Sequence, residues 1–254
     1  QIKLFDRMNR KLYLTNAGEL LYNYSKKILL LVDEAESSIK DIANMKMGRL
    51  RMGASTTIGI YLLPRIVGDF TKRYENINSY FTIDNTGIIE EMILNNHIDI
   101  ALVEGLIHSK DIVVKHFLDD ELYLICSRNH PWARRKELSI NPEEITEESL
   151  IVREKGSGTR EVFEKALAKN HLSYQPQHVL NNTEAIKKAV EADIGIAVIS
   201  KLAVQEEINS GRLVKIDIKN IPITRELNII YHKDKYRSPL FNTFIKYLEK
   251  YKVS

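Results

Sequence analysis

The 254-residue sequence predicts an α/β protein made of one long N-terminal helix and a two-lobed globular region. Three observations carry this. Ala17, Leu21, Tyr24, Ile28, Leu31, Ala35, Ser38, Ile42 and Met45 are spaced alternately by four and three. That 3.5-residue repeat follows one side of a supercoiling helix and is buried only by a partner helix. From residue 50 onward, short runs rich in Ile, Val and Leu alternate with amphipathic stretches, as in sheets covered by helices. The alternation is interrupted at His130-Pro131-Trp132 and then resumes.

The long helix is predicted to start at Thr15 or Asn16, because Asn16 and Glu19 form a capping pattern. It should run to about Met47 and stop at Gly48. Roughly 32 residues would make a rod of about 48 Å. Strands follow over 50–53, 78–84, 99–103, 113–118 and 121–127, with helices over 58–73 and 88–94. Asp119-Asp120-Glu121 reads as a solvated turn between the last two strands. The second set has strands over 150–152, 179–180, 194–199 and 213–216, separated by helices at 160–169, 184–192 and 202–209. One long strand over 225–232 and a closing helix over 239–251 complete the chain. If that last helix returns to the first lobe, the chain crosses between lobes near 126–128 and 224–226, leaving a cleft between them. The organisation is then an N-terminal arm (1–15), a dimerising helix (16–48), lobe I (49–126 with 226–254) and lobe II (127–225).

Charge and cysteine content narrow the functional classes. Residues 1–51 carry a net +4 and the remainder −1, so a basic excess sits at the N-terminal end and the lobes are no general polyanion surface. Cys126 is the single cysteine, which rules out an intrachain disulfide and a Cys-based zinc site, and it lies in an apolar run as a buried strand residue would. No metal-ligand spacing occurs among the seven histidines, no stretch is long and apolar enough for a membrane span, and nothing resembles a signal peptide. A cytoplasmic protein is expected. Ser127 and Ser157 have no evident His or Asp partner, so no catalytic residues are assigned, and the absence of GxGxxG and P-loop patterns calls for no cofactor.

Three predicted helix starts share one chemistry. Ser55, Thr56 and Thr57 follow the first strand, Gly156-Ser157-Gly158-Thr159-Arg160 follows the first strand of lobe II, and Thr183 and Glu184 open a third helix. Hydroxyls beside the unpaired N–H groups of a helix N-terminus suit phosphate, sulfate or carboxylate, although Ser, Thr and Asn are also ordinary caps. The two glycines of the Gly156 loop let backbone amides approach a ligand. Arg160, a cation in a first helical turn, favours a nearby anion or a surface pair with Glu161 or Glu164.

Phe5-Asp6-Arg7, Leu14-Thr15 and Ala17-Gly18 resemble the wing and linker-helix start of LysR-type transcriptional regulators. RMGASTTIGIYLLP (51–64), LVEG (102–105), REKGSGTREVFEKAL (153–167), NTEAIKKAVEADIGIAVIS (182–200) and IYHKDKY (230–236) extend the resemblance over nearly the whole chain. The subgroup it suggests contains activators of sulfite reduction and cysteine synthesis, with regulators of carbon fixation as near relatives. The resemblance implies a type 2 periplasmic-binding-protein fold, a small anionic effector held between the lobes, and binding to promoter DNA. It carries Ser55, Thr56, Thr57, Glu104, Gly105, Ser157, Gly158, Thr159, Thr183 and Glu184 as effector-binding positions, with Glu104-Gly105 at the cleft edge. Arg7, Arg10 and Lys11 become wing residues that touch DNA backbone, and residues 1–15 the remnant of a winged helix-turn-helix whose recognition helix belongs to a parent protein. It also implies a homodimer through 16–48, with a tetramer left open. A solute-binding protein for a small anion is the other reading on this fold, and the heptad helix and wing-like segment argue against it.

Overall fold

The computed structural model describes residues 2–8, 11–43, 48–74 and 77–251. Strands β1 (Phe5–Met8) and β2 (Lys11–Leu14) pair as an antiparallel hairpin, and α1 (Asn16–Ala43) follows directly. Thr15 accepts the Gly18 N–H, so Thr15 supplies the cap and Asn16 is already helical. The expected helix end at Met47, the seam position Met45 and the side chains of Ser38 and Ile42 lie outside the described residues. Gly48 opens a strand instead of closing a helix.

Lobe I contains β3 (Gly48–Ser55), α2 (Thr56–Tyr61), α3 (Leu63–Arg73), β4 (Ile77–Asp84), α4 (Thr86–Leu94) and β5 (Ile100–Glu104). The single helix expected over 58–73 is broken at Leu62, and Pro64 accounts for the break because it has no N–H to continue the ladder. The long strand β6 (Ile112–Ser127) then leads to lobe II. Lobe II holds β7 (Ser139–Ile140), β8 (Leu150–Arg153), α5 (Gly158–Lys169), β9 (His178–Leu180), α6 (Thr183–Glu191), β10 (Ile196–Ser200), α7 (Lys201–Asn209) and β11 (Leu213–Ile218). Short 3-10 turns at Pro131–Arg134 and Pro142–Glu147 flank β7. β12 (Ile223–His232) returns to lobe I, where α8 (Pro239–Glu249) closes it.

The main sheet runs β4-β3-β5-β12-β6-β10-β8-β9, with β11 also paired to β6. β3, β4 and β5 are parallel, β8 is parallel to β9 and β10, and β12 and β6 are antiparallel partners that pass through both lobes. α8 packs on α3 through Phe244 and Phe70, whose ring centroids are 4.8 Å apart edge to face. The terminal helix therefore packs beside α3, in the cluster that also holds β3 and β5 residues.

The first crossover lies nearer the N-terminus than the sequence suggested. Leu122, Leu124 and Cys126 pack in the lobe II core with Trp132 and Phe163, while Phe117 belongs to the lobe I core with Leu227. No turn separates two strands at 119–121; β6 continues through it, and Asp120 is buried by an ion pair. A buried carboxylate in mid-strand mimics a solvated turn in sequence, and here Asp120 marks the crossing itself.

Candidate functional site

The carboxyl ends of β3, β5, β8 and β10 and the starts of α2, α4, α5, α6 and α7 meet between the lobes, the place where open α/β sheets bind ligands. The approach is close. Gly105 (φ +89°) lies against the Gly158 backbone, and a Cβ on Gly158 would overlap the Glu104 carbonyl oxygen. The Gly87 N–H donates across the cleft to the Gly156 carbonyl at 3.1 Å.

Two arginines sit at this boundary, neither of them a predicted site residue. Arg225, on β12, donates through Nε to Asp120 Oδ2 at 2.8 Å and through Nη1 to Thr159 Oγ1 at 2.8 Å. Its Nη1 also lies 3.4 Å from Glu104 Oε1, which accepts the Thr57 hydroxyl at 2.9 Å. All three charged side chains are at most 2 % exposed. Burial pushes the Asp120 carboxyl above the usual carboxylate range, against the pull of Arg225 and Ser200.

Arg153, at the end of β8, reaches both lobes. Nη2 donates to Thr56 Oγ1 of lobe I at 3.2 Å, and Nη1 to Thr183 Oγ1 of lobe II at 3.3 Å. Nε and Nη2 donate to the two oxygens of Glu154 at 2.8 and 2.9 Å. Burial alone would raise the Glu154 carboxyl, yet the bonds and charge of Arg153, its own backbone N–H and Asn85 hold it below the ordinary range. The signal for Arg153 was present in the sequence, because a charged residue directly after Leu150-Ile151-Val152 marks the carboxyl end of a buried strand.

The predicted residues divide into groups. Thr56 and Thr183 face each other through Arg153. Thr57, Glu104 and Thr159 turn into the Arg225 cluster, where Glu104 is buried in the wall between the lobes. Ser55 accepts the Glu104 N–H, and Thr86 donates to the Glu104 carbonyl. The Ser157 hydroxyl is buried without a hydrogen-bond partner, and the Glu104 Oε2 atom likewise. The third helix start is an ordinary cap, since Asn182 accepts the N–H groups of Glu184 and Ala185. Glu184 is exposed and accepts the Tyr61 hydroxyl from lobe I together with Lys187 at 2.8 Å. Arg160 is committed to Glu164 at 2.7 Å and to the Arg153 carbonyl at 3.1 Å, the intrahelical alternative to an anion. Cys126 is fully buried, and burial pushes its thiol up to about 12, far from a reactive thiolate.

Outside the cleft, Arg7 and Lys11 are exposed on the hairpin, and Arg10 lies outside the described residues. The seam residues Leu21, Tyr24, Ile28 and Leu31 are all exposed on α1. A different α1 face meets lobe I, where Lys235 binds Glu34 at 3.2 Å and Asp99 at 2.8 Å beside a cavity of about 640 Å³. No group of His, Cys, Asp and Glu suited to a metal occurs among the described residues, and no helix among them is long and apolar enough to cross a membrane.

Comparison with known proteins agrees with this architecture. Residues 43–252 match the family described as LysR substrate binding domain. The chain is 35% identical over 247 residues to the HTH-type transcriptional activator CmpR of Synechocystis sp. (strain ATCC 27184 / PCC 6803 / Kazusa), covering 97% of this chain and 80% of the relative. It is 36% identical over 249 residues to a probable RuBisCO transcriptional regulator of Thalassiosira pseudonana, covering 96% and 81%. Among solved structures it resembles the Synechocystis PCC6803 CcmR regulatory domain in complex with 2-PG, with 31% identity, a TM-score of 0.73, and coverage of 80% of this chain and 96% of that one.

Proposed function

Because this chain belongs to the LysR family of transcriptional regulators, we propose that its interlobe cleft senses a small anion and that its long helix joins two copies into a DNA-binding dimer. The observation that carries the sensing role is Arg153. A guanidinium side chain only 4 % exposed stands between a hydroxyl of one lobe and a hydroxyl of the other. A fork of N–H donors recognises carboxylate and phosphate alike. An anion that makes contacts in one lobe arrangement and not in another shifts the balance between them, whereas equal affinity for both shifts nothing.

The controlled genes are those of carbon assimilation. Support comes from the relatives at 35% and 36% identity, one of them named for RuBisCO. The sulfite-reduction and cysteine-synthesis subgroup suggested by the sequence has no such support and is replaced by this reading. 2-PG, bound by the CcmR domain, is the first effector to test. Thr56, Thr183, Ser157 and the Gly158 backbone line the site around Arg153, while Ser55, Thr57, Glu104, Gly105 and Thr159 shape its floor and Glu184 its rim. Arg7, Arg10 and Lys11 are assigned to the phosphate backbone of promoter DNA, a role that goes with a cytoplasmic protein. The exposed seam of α1 is the dimer contact, since an apolar stripe of that repeat needs a partner helix.

The experiment is a thermal-shift and calorimetric titration of the chain with 2-PG, inorganic phosphate, sulfate and small carboxylates, repeated for Arg153→Ala. At about one hundred times Kd, a specific anion should stabilise the fold by about 2.7 kcal/mol. The gain should vanish in Arg153→Ala. Equal stabilisation of both proteins would show that the anion binds elsewhere.

A further inference from the structure

We propose that Glu154 is a built-in occupant of the cleft's anion subsite, and that an effector oxyanion binds by displacing the Glu154 carboxylate from Arg153. This rests on the reading of the cleft given above and adds how that site is regulated. The arginine fork offers its side-on pair of donors, Nε and Nη2, to both oxygens of Glu154 at 2.8 and 2.9 Å. That is the geometry in which an arginine grips a phosphate or carboxylate. The remaining contacts of the fork go to Thr56 and Thr183 at 3.2 and 3.3 Å, one from each lobe. The position an effector anion would take is therefore held by the next residue of the same chain.

The pairing is not one a strand imposes. Adjacent strand residues point to opposite faces. β8 ends at Arg153, and Glu154 lies in the following turn, from which its side chain folds back onto the guanidinium. The two partners are also buried unequally, Arg153 at 4 % and Glu154 at 22 % side-chain exposure. A carboxylate released from this contact has water beside it and Asn85 of the opposite lobe as a partner. Three residues on, the Ser157 hydroxyl is buried with no hydrogen-bond partner, a polar group ready to bond a ligand oxygen.

The exchange gives the cleft a threshold. While Glu154 holds the fork, only the fraction of molecules with Arg153 free is competent to bind, and apparent affinity falls by that fraction. The ligand class is a small oxyanion, phosphate or carboxylate, whose group replaces the glutamate one for one. Occupancy would place the anion on the guanidinium that already bonds Thr56 of one lobe and Thr183 of the other.

The test is calorimetric titration of the full chain with 2-PG and with inorganic phosphate, comparing wild type, Glu154→Gln, Glu161→Gln and Arg153→Ala, with Arg153→Lys added in case the alanine variant does not fold. Glu161, in the first turn of α5, is bonded to His108 and provides an equal loss of charge without contact to Arg153. Glu154→Gln should tighten binding about tenfold, the weight of one charge-assisted hydrogen bond. Glu161→Gln should change it by less than about twofold, as for an exposed charge. Unchanged or weaker binding in Glu154→Gln, or equal tightening in Glu161→Gln, overturns the displacement proposal while leaving the anion site standing. Binding that survives both Arg153 variants, or no binding by either wild type or Glu154→Gln, overturns the anion site and this proposal together.

Discussion

Arg225 and Arg153 both span the boundary between the lobes, and they are held in opposite ways. Arg225 is drawn into the crossover strands by partners far away in sequence, Asp120 and Glu104, and no side chain of the trio is more than 2 % exposed. Arg153 is held by its sequence neighbour, which keeps 22 % of its side chain in water. Burial decides what each pair can do. A sealed ion pair has no exchange partner, and breaking it leaves a charge without solvent. A pair with one wet member trades its partner for an incoming anion at modest cost. On the function proposed above, the first arginine is assigned to the hinge and the second to the ligand.

Stability measurements should separate the two most clearly. Arg225→Ala leaves Asp120 and Glu104 buried together without a cation, and is expected to cost about 3–5 kcal/mol in urea unfolding. Arg153→Ala should cost at most about 2 kcal/mol, because Glu154 retains water, its backbone N–H and Asn85. The order reverses for anion binding, where Arg153→Ala removes the response and any properly folded Arg225 variant keeps it. Equal losses of stability would erase the distinction between hinge and ligand arginine.

A finer version of the comparison uses the threonines. Thr159 accepts Arg225 Nη1 at 2.8 Å, and Thr183 accepts Arg153 Nη1 at 3.3 Å. Thr159→Ala strands a buried donor and should cost about 1–3 kcal/mol, with a small effect on anion affinity. Thr183→Ala should cost less than about 1 kcal/mol but weaken anion binding severalfold. If Thr159→Ala instead abolishes binding with the fold unharmed, its hydroxyl faces the ligand and the division drawn here is wrong.

These pairs also show what was legible in the sequence. The helix starts at Thr56, Gly158 and Thr183 could be found because strand, turn and cap chemistry are local, and the structure brings Thr56 and Thr183 together. The hinge cluster was not legible. Asp120 is an acid in an Asp-Asp-Glu run, which reads as a wet turn until Arg225, 105 residues later, supplies its partner. Thr57 and Thr159 have the residue type of a ligand contact, and only the tertiary placement of Glu104 and Arg225 commits their hydroxyls elsewhere. Arg160 was drawn toward the cleft by its position in a first helical turn, and Glu164 one turn later claimed it. Local rules located the cleft, and nonlocal ion pairs decided which of its residues remain free to act.

A further side-chain contact between the lobes extends the same gradient to its exposed end. His108, in the loop after β5, lies 3.3 Å from Glu90 of its own lobe and 3.0 Å from Glu161 of α5, with 68 % of its side chain exposed. The hydrogen bonds to Glu90 and then Glu161 raise its pKa above the ordinary histidine value, against slight burial. The folded protein therefore holds the proton more tightly than the unfolded chain does. The stabilisation is fully present below about pH 6.5, the unfolded histidine value, and is lost as pH rises through the folded value. Solvent screening limits it to about 0.5 kcal/mol or less. Urea unfolding of wild type and His108→Gln should differ by that small amount at pH 6 and converge by pH 9. A gap that stays constant or widens with pH would show that neutral packing, and not the charge, is what His108 contributes. Loss of anion binding in His108→Gln would break the gradient itself, because a contact this exposed should influence the cleft less than either arginine.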